Sequence, residues 1–136
     1  MKESKSEKVK DGDLFMSNIE SYRDLRTWRE SNDLVVIVYC VTSKFPVDER
    51  YGLVSQMRRA SVSVPSNIAE GMGRGTTKDL MRFLIIARGS VHELRSQLET
   101  VKLLSFISPE DFAVLSQRYA GLDAGINAHI QSLLKK

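Results

Sequence analysis

The sequence predicts an all-α protein, an antiparallel up-and-down four-helix bundle. Apolar residues recur three and four positions apart over four separate stretches, and this spacing places them on one face of an α-helix. Helix-capping residues, glycines and prolines mark the ends of these stretches, so the connections between helices are short. Short connections place consecutive helices side by side and antiparallel, and 136 residues are enough for one such domain.

The first predicted helix follows Tyr22 and ends at Pro46. Its valine-rich sequence is also compatible with a buried strand, but no second strand candidate exists to pair with it, so we favour a helix. Apolar residues cover more than one of its faces, which predicts a subunit contact in addition to the core contact. The principal apolar face carries Leu34, Ile37, Val38, Val41 and Phe45.

The second helix is predicted to run from a cap at Asp48 to Gly71, with Pro65 in its interior. Because proline has no N–H to donate and its ring crowds the preceding turn, we expect a kink near Ser61. The apolar face of this helix is formed by Leu53, Met57, Ala60, Val64 and Ile68.

Three glycines, Gly71, Gly73 and Gly75, predict a break before the third helix. Thr76 is the expected N-cap, and Asp79 three residues later is typical of a capping box. The glycine-rich stretch is either a plain helix breaker or an anion site at a helix N-terminus, and it completes no phosphate-loop motif. The apolar stripe of the third helix consists of Leu80, Leu84, Ala87, Val91, Leu94, Leu98 and Val101.

The fourth helix is predicted to begin with a cap at Ser108, Pro109 at its first position and Asp111 in its first turn. The four helices form one domain over residues 21–136. Residues 1–20, which begin with closely mixed charges, are predicted to be a flexible tail. The apolar face of the fourth helix consists of Phe112, Leu115, Tyr119, Leu122, Ile126 and Leu133.

The composition argues against several classes of protein. No apolar run approaches the length of a membrane span, and the N-terminal region lacks the apolar stretch of a signal peptide, so we expect a cytoplasmic protein without membrane contact. Cys40 is the only cysteine, which excludes an internal disulfide, and its apolar neighbours predict an inert thiol in the core. One cysteine and two histidines do not complete a structural zinc site.

No arrangement of side chains suggests catalysis. His92 and Glu93 fail the zinc-protease pattern because Ser96 stands where the second histidine should be. His129 is expected to be a partly buried histidine rather than a ligand, and no serine, histidine and aspartate set is recognisable. We therefore expect a protein that is not an enzyme and that holds no metal and no cofactor.

The positive charge is concentrated in the middle of the chain. Between Arg50 and Arg95 there are eight basic and three acidic residues, whereas the whole chain has a net charge of +3. Seven of the eight are arginine, whose planar guanidinium group suits phosphate. Aromatic residues are scarce in this segment, which argues against base stacking on single strands. The candidate nucleic-acid-binding residues are Arg58, Arg59, Arg74, Lys78, Arg82, Arg88 and Arg95.

Two interpretations of these basic residues remain open. In the first, arginines repeated on symmetric subunits form a positive ring that attracts a nucleic-acid backbone. In the second, Arg88 and Arg95 pair with Glu70, Glu93 or Glu99 across the bundle or a subunit contact, and the other five lie in solvent.

Several blocks of sequence follow one another in a characteristic order. The blocks are Tyr22-Arg23-Asp24-Leu25, Trp28, Phe45-Pro46, Arg50-Tyr51-Gly52-Leu53, Arg58-Arg59-Ala60, Ser66-Asn67-Ile68-Ala69-Glu70-Gly71, Gly73-Arg74, Arg82-Phe83-Leu84-Ile85-Ile86-Ala87-Arg88-Gly89-Ser90 and Glu93-Leu94. Together they resemble the four-helix-bundle proteins encoded by intervening sequences within bacterial 23S ribosomal RNA genes. The resemblance covers about residues 22 to 107. It implies a homopentameric ring with a role in nucleic-acid binding. A related bundle is the accessory protein of diversity-generating retroelements, which works with a reverse transcriptase and RNA.

The expected function is that of a non-enzymatic, oligomeric protein that binds the backbone of RNA or DNA through its arginine-rich surface. Its expected partners are further copies of itself, a nucleic acid and, if the gene is linked to a retroelement, a reverse transcriptase. The alternative is a self-assembling scaffold or protein-interaction subunit without nucleic-acid binding, in which the arginines form salt bridges between protomers.

Overall fold

The computed structural model describes residues 21–135, and they form the predicted antiparallel four-helix bundle. The predicted tail at residues 1–20 lies outside the described part of the chain. Short 3-10 turns at Tyr22–Asp24 and Val47–Glu49 precede the first and second helices. The helices are α1 (Arg26–Thr42), α2 (Leu53–Arg74), α3 (Thr77–Leu103) and α4 (Pro109–Leu134).

Each helix packs against the next one along the chain, and α4 also packs against α1. The Ser63 and Ser90 hydroxyls lie 2.8 Å apart and join α2 to α3. Arg118 of α4 makes two hydrogen bonds of 3.0 and 3.1 Å to the Glu30 carboxylate of α1. This arrangement brings the start of α1, the end of α2, the start of α3 and the end of α4 to one end of the bundle.

The apolar stripes predicted from the sequence form the core. Every residue of the α3 stripe is buried, and the stripes of the other helices are buried except for three residues at their margins. Those three pack against the core while remaining partly exposed, and they are Ile37, Leu53 and Phe112. The 3.6-residue period of the sequence therefore identifies the buried face of each helix.

Two of the three predicted helix caps are confirmed. The hydroxyl of Thr76 accepts a hydrogen bond from the Asp79 amide at 3.1 Å, and the hydroxyl of Ser108 accepts one from the Asp111 amide, also at 3.1 Å. The predicted cap at Asp48 is wrong. Asp48 lies in the 3-10 turn that follows Pro46, and α2 begins only after Gly52.

The expected break at Gly71 and Gly73 is also wrong, because α2 continues through both to Arg74 and ends at Gly75, whose φ is 85°. A positive φ suits glycine, which has no Cβ to clash in the left-handed conformation. Gly71 is required for packing rather than for a positive φ. A Cβ at that position would lie 2.8 Å from Cβ of Phe83, so glycine lets α2 and α3 approach closely.

Cys40 is exposed, so its prediction as a core thiol is wrong. It lies on the outer side of α1, where Val36 is 63% exposed and Tyr39 is also exposed. The apolar residues of α1 extend around more of the helix than its contacts with α2 and α4 cover. Both this exposed face and the buried face of α1 are apolar, so composition alone did not show on which of them Cys40 lies.

His129 of α4 is buried, and burial lowers the pKa of its imidazole below the ordinary value of 6.5 because the cation is poorly solvated there. The unfolded chain therefore binds a proton more readily than the folded protein. Stability from the neutral imidazole is complete above pH 6.5 and is lost as the pH falls towards the lower pKa of the folded state.

We expect acidification from neutral pH to reduce the free energy of unfolding more in the wild-type protein than in His129→Leu, which has no titrating group at this position. Urea denaturation at neutral and mildly acidic pH measures the difference. Equal losses in the two proteins would show that His129 titrates alike in the folded and unfolded states.

Candidate nucleic-acid interface

The structure divides the seven predicted basic residues into three groups. Arg58 and Arg59 lie in the first half of α2, whereas Arg88 and Arg95 project from α3 towards α4. The remaining three, Arg74, Lys78 and Arg82, surround the connection between α2 and α3. A single subunit therefore does not present all seven on one surface.

Arg58 stabilises the packing of α2 on α1. Its Nε donates to the hydroxyl of Thr42 at 3.0 Å, and Nη2 donates to the Tyr39 carbonyl at 3.3 Å. The guanidinium carbon lies 4.5 Å from the centre of the Tyr39 ring. Arg58 thus binds the last turn of α1, while the neighbouring Arg59 is exposed.

Arg88 and Arg95 have polar partners on α4, which differ from those expected. Arg88 Nη1 donates to Asn127 Oδ1 at 2.8 Å, and Arg95 Nη1 donates to Asp123 Oδ2 at 2.9 Å. The partners predicted from the sequence were Glu70, Glu93 and Glu99. Both arginines lie on the side of α3 that faces α4, where those three glutamates do not reach them.

The carboxylate of Asp123 is the centre of this α3–α4 network. The Asp123 side chain is 13% exposed and accepts from Arg95, while His92 Nε2 lies 3.1 Å from the same oxygen. The amide nitrogen of Asn127 donates to its other oxygen at 3.4 Å. Nothing in the sequence spacing distinguished Asp123 from a solvated aspartate, because its two charged partners, His92 and Arg95, come from a different helix, 31 and 28 positions away.

We expect Asp123→Ala to lower the free energy of unfolding by about 2 kcal/mol, because it removes the buried acceptor that partly exposed donors on α3 and α4 share. Glu99→Ala is the matched control, since Glu99 is exposed on α3 and its replacement is expected to change stability by less than about 0.5 kcal/mol. Urea denaturation of both variants is the measurement. A larger loss for Glu99→Ala would favour the pairing originally expected for Arg95.

Arg74, Lys78 and Arg82 form the group best placed to meet a polyanion. The guanidinium carbons of Arg74 and Arg82 lie 5.0 and 4.7 Å from the centre of the Phe83 ring. Lys78 and Arg82 are four residues apart, so they share a face of α3. The side chains of all three are exposed.

Acidic residues offset this group only weakly. Arg74 donates to Glu70 at 2.9 Å, but both side chains of this pair are about half exposed, so solvent weakens the attraction between them. Lys78 and Arg82 have no ion-pair partner within residues 21–135. Two cations therefore remain available for an external anion, and a third is held by an exposed pair.

The bundle topology adds further cations that the charge count along the chain missed. The start of α1 and the end of α4 come to the same end as the connection between α2 and α3. The Arg29 guanidinium also donates to the Arg23 carbonyl at 3.0 Å, which places two of these arginines together. We call this surface the basic end, and it consists of Arg23, Arg26, Arg29, Arg74, Lys78, Arg82 and Lys135.

The chemistry of the basic end suits phosphate rather than bases. Guanidinium and ammonium groups attract a phosphate backbone without regard to sequence, and the N-terminus of α3 adds a favourable dipole. Among the described residues, the aromatic rings at this end are not presented as stacking platforms. Phe83 is buried, and the rings of Tyr22 and Trp28 contact each other at 5.0 Å.

Residues 23–128 match the protein family described as 23S rRNA-intervening sequence protein. The chain belongs to this 23S rRNA-intervening sequence protein family. The fold also matches the crystal structure of a protein of unknown function from the S23 ribosomal protein family of Bacteroides thetaiotaomicron, with a TM-score of 0.69 and 20% sequence identity. The match covers 77% of this chain and 95% of that protein. No curated protein matches the chain.

Most of the basic end lies within the part of the chain that matches the 23S rRNA-intervening sequence protein family, and Lys135 lies beyond it. Within residues 21–135 of this family member, no group of three or more histidine, cysteine, aspartate or glutamate side chains is placed to hold a metal ion. None of the described helices is both long and apolar enough to cross a membrane.

Proposed function

We propose that this 23S rRNA-intervening sequence family protein is a non-enzymatic protein that binds the phosphate backbone of RNA or DNA through its basic end. The observation that supports this most directly is the exposed group of Arg74, Lys78 and Arg82 at the start of α3. Because the contacts are to phosphate, binding is expected to depend weakly on sequence and strongly on salt.

The other predicted basic residues have roles other than phosphate binding at the basic end. Arg58, Arg88 and Arg95 position helices through their contacts with neighbouring elements. Arg59 is exposed on the side of α2, where a nucleic acid bound at the basic end would have to pass along the bundle to reach it. The phosphate contacts are thus assigned to a smaller set than the sequence suggested, supplemented by cations from α1 and α4.

Self-association is part of the proposal. Val36 and Tyr39 of α1 and Val62 of α2 are exposed, and apolar side chains on neighbouring helices are suited to a subunit interface. In a homopentameric ring, as the family resemblance implies, several basic ends act on one polyanion and strengthen binding through multivalency.

This exposed apolar face also supports a second candidate function, that of a self-assembling scaffold without nucleic-acid binding. The two functions differ in their response to charge. A scaffold is expected to lose mass in light scattering when Val36 is replaced with serine, and to be indifferent to the charges of the basic end.

The test of nucleic-acid binding replaces Arg74, Lys78 and Arg82 together with alanine. We expect the dissociation constant for duplex RNA or DNA at low salt to rise about a hundredfold, because three phosphate contacts are lost. The matched control replaces Arg50, Arg59 and Lys102, which removes the same charge from exposed positions outside the basic end. Equal losses in the two variants, or no binding by the wild-type protein at low salt, would contradict the proposal.

A further inference from the structure

An open groove with an apolar floor lies at the basic end, between the start of α3 and the end of α4. Its volume is about 490 Å³, and its floor is made by Met81, Ile85 and Leu133. Ile85 is 44% exposed, so the groove leaves apolar surface uncovered. Lys78 and Arg82 also line the groove, and neither has an ion-pair partner in the described part of the chain.

The opposite end of the bundle presents a surface of complementary character. Residues 47–51 form the turn before α2, where Val47 is 75% and Tyr51 is 89% exposed. Between them lie the carboxylates of Asp48 and Glu49, which have no ion-pair partner among residues 21–135. Arg50 leaves this segment with one net negative charge.

We infer that the groove of one copy receives residues 47–51 of a second copy, so that bundles associate head to tail. Tyr51 and Val47 supply apolar side chains that cover the exposed apolar floor of the groove, and aromatic side chains in pockets are the usual anchors of such contacts. Asp48 and Glu49 face Lys78 and Arg82 across the contact, which fixes its direction. One chain carries both halves of the interface, so no other protein is needed to complete it.

The two halves lie at opposite ends of α2 and α3, so each added copy leaves one groove and one turn free. Such a contact is heterologous and extends along the bundle axis instead of closing on itself. It also uses Lys78 and Arg82, two of the cations of the basic end. This consequence rests on the proposed function: nucleic acid and a second copy compete for the same groove.

Sedimentation velocity of the full chain over a range of concentrations tests the contact. We expect the wild-type protein to increase in mass without reaching a fixed limit, and Tyr51→Ser to weaken the association at least about tenfold. Leu103→Ser is the matched control, because Leu103 is equally exposed at the same end of the bundle but lies outside residues 47–51. A mass that is independent of concentration, or the same loss in both variants, would overturn the inference.

Exchanging the charges makes the test specific for this pairing. Asp48→Lys and Lys78→Glu are each expected to weaken head-to-tail association, and the double variant, which restores opposite charges across the contact, is expected to regain it. Failure of the double variant to regain association would overturn the pairing.

Duplex RNA binding separates this inference from the proposed function. Asp48→Lys leaves the basic end unchanged and is expected to bind duplex RNA at least as well as the wild-type protein. The double variant is expected to associate yet bind RNA weakly. If duplex RNA fails to weaken the head-to-tail association of the wild-type protein, the shared groove is contradicted, whereas the head-to-tail contact is not.

Discussion

Replacing Gly71 with alanine is expected to lower the free energy of unfolding by about 2 kcal/mol, because the added methyl group overpacks the contact between two helices. The new Cβ would lie 2.8 Å from Cβ of Phe83 and 3.3 Å from a terminal methyl of Leu80. The Phe83 Cβ is attached directly to the backbone and cannot rotate away. Relief of the clash requires α2 and α3 to separate, which loosens the most extensive helix pair of the bundle.

Gly73→Ala is the matched control for Gly71→Ala. Gly73 lies one half-turn later in the same helix, and a Cβ there meets no atom within 4 Å. Alanine is a better helix former than glycine, so this variant is expected to be as stable as the wild-type protein or up to about 1 kcal/mol more stable. Urea denaturation followed by circular dichroism compares the two. Equal effects would show that Gly71 is not a close-approach position.

Phe83→Ala is expected to lower the free energy of unfolding by about 3 kcal/mol, because it leaves a cavity beside Gly71 where the ring was buried. Removal of the Phe83 ring also affects the candidate site. Arg74 and Arg82 both contact this ring, so its removal takes away the surface that holds the two guanidinium groups close together.

Phe83→Leu separates packing from the contact with arginine. Leucine keeps most of the apolar volume but has no ring, so the expected loss is about 1 kcal/mol. A double-mutant cycle with Arg82→Ala is expected to give a coupling energy of about 0.5–1 kcal/mol with phenylalanine. Additive losses in the cycle would show that Arg82 does not interact with the ring.

The fold was accessible from the sequence because one physical rule governed most of it. Leu84 and Val91 are buried because they share a helix face with the rest of their stripe, and the hydroxyls of Thr76 and Ser108 act as local caps. The predictions were wrong where tertiary contacts, rather than local sequence, determine the structure around a residue. Gly71 contacts another helix across the bundle, and Cys40 lies on an apolar face of α1 that the other described residues leave exposed.

The basic end was harder to predict from the sequence, because the density of charge along the chain does not show which cations the fold brings together. Arg26 and Lys135 lie at opposite ends of the sequence, but the up-and-down topology places them at the same end of the bundle. Conversely, Arg95 belongs to the basic segment but contacts the Asp123 carboxylate of α4. Local charge density identified the connection between α2 and α3, and only the packing of four helices determines which cations accompany it.

The salt dependence of nucleic-acid binding is the sharpest test of the proposal that the basic end contacts phosphates. The logarithm of the affinity for duplex DNA is to be measured against the logarithm of the salt concentration for the wild-type protein and for the variant with Arg74, Lys78 and Arg82 replaced by alanine. The slope is expected to become shallower by about two to three in the variant, close to one for each lost phosphate contact. Equal slopes for the two proteins would contradict the claim.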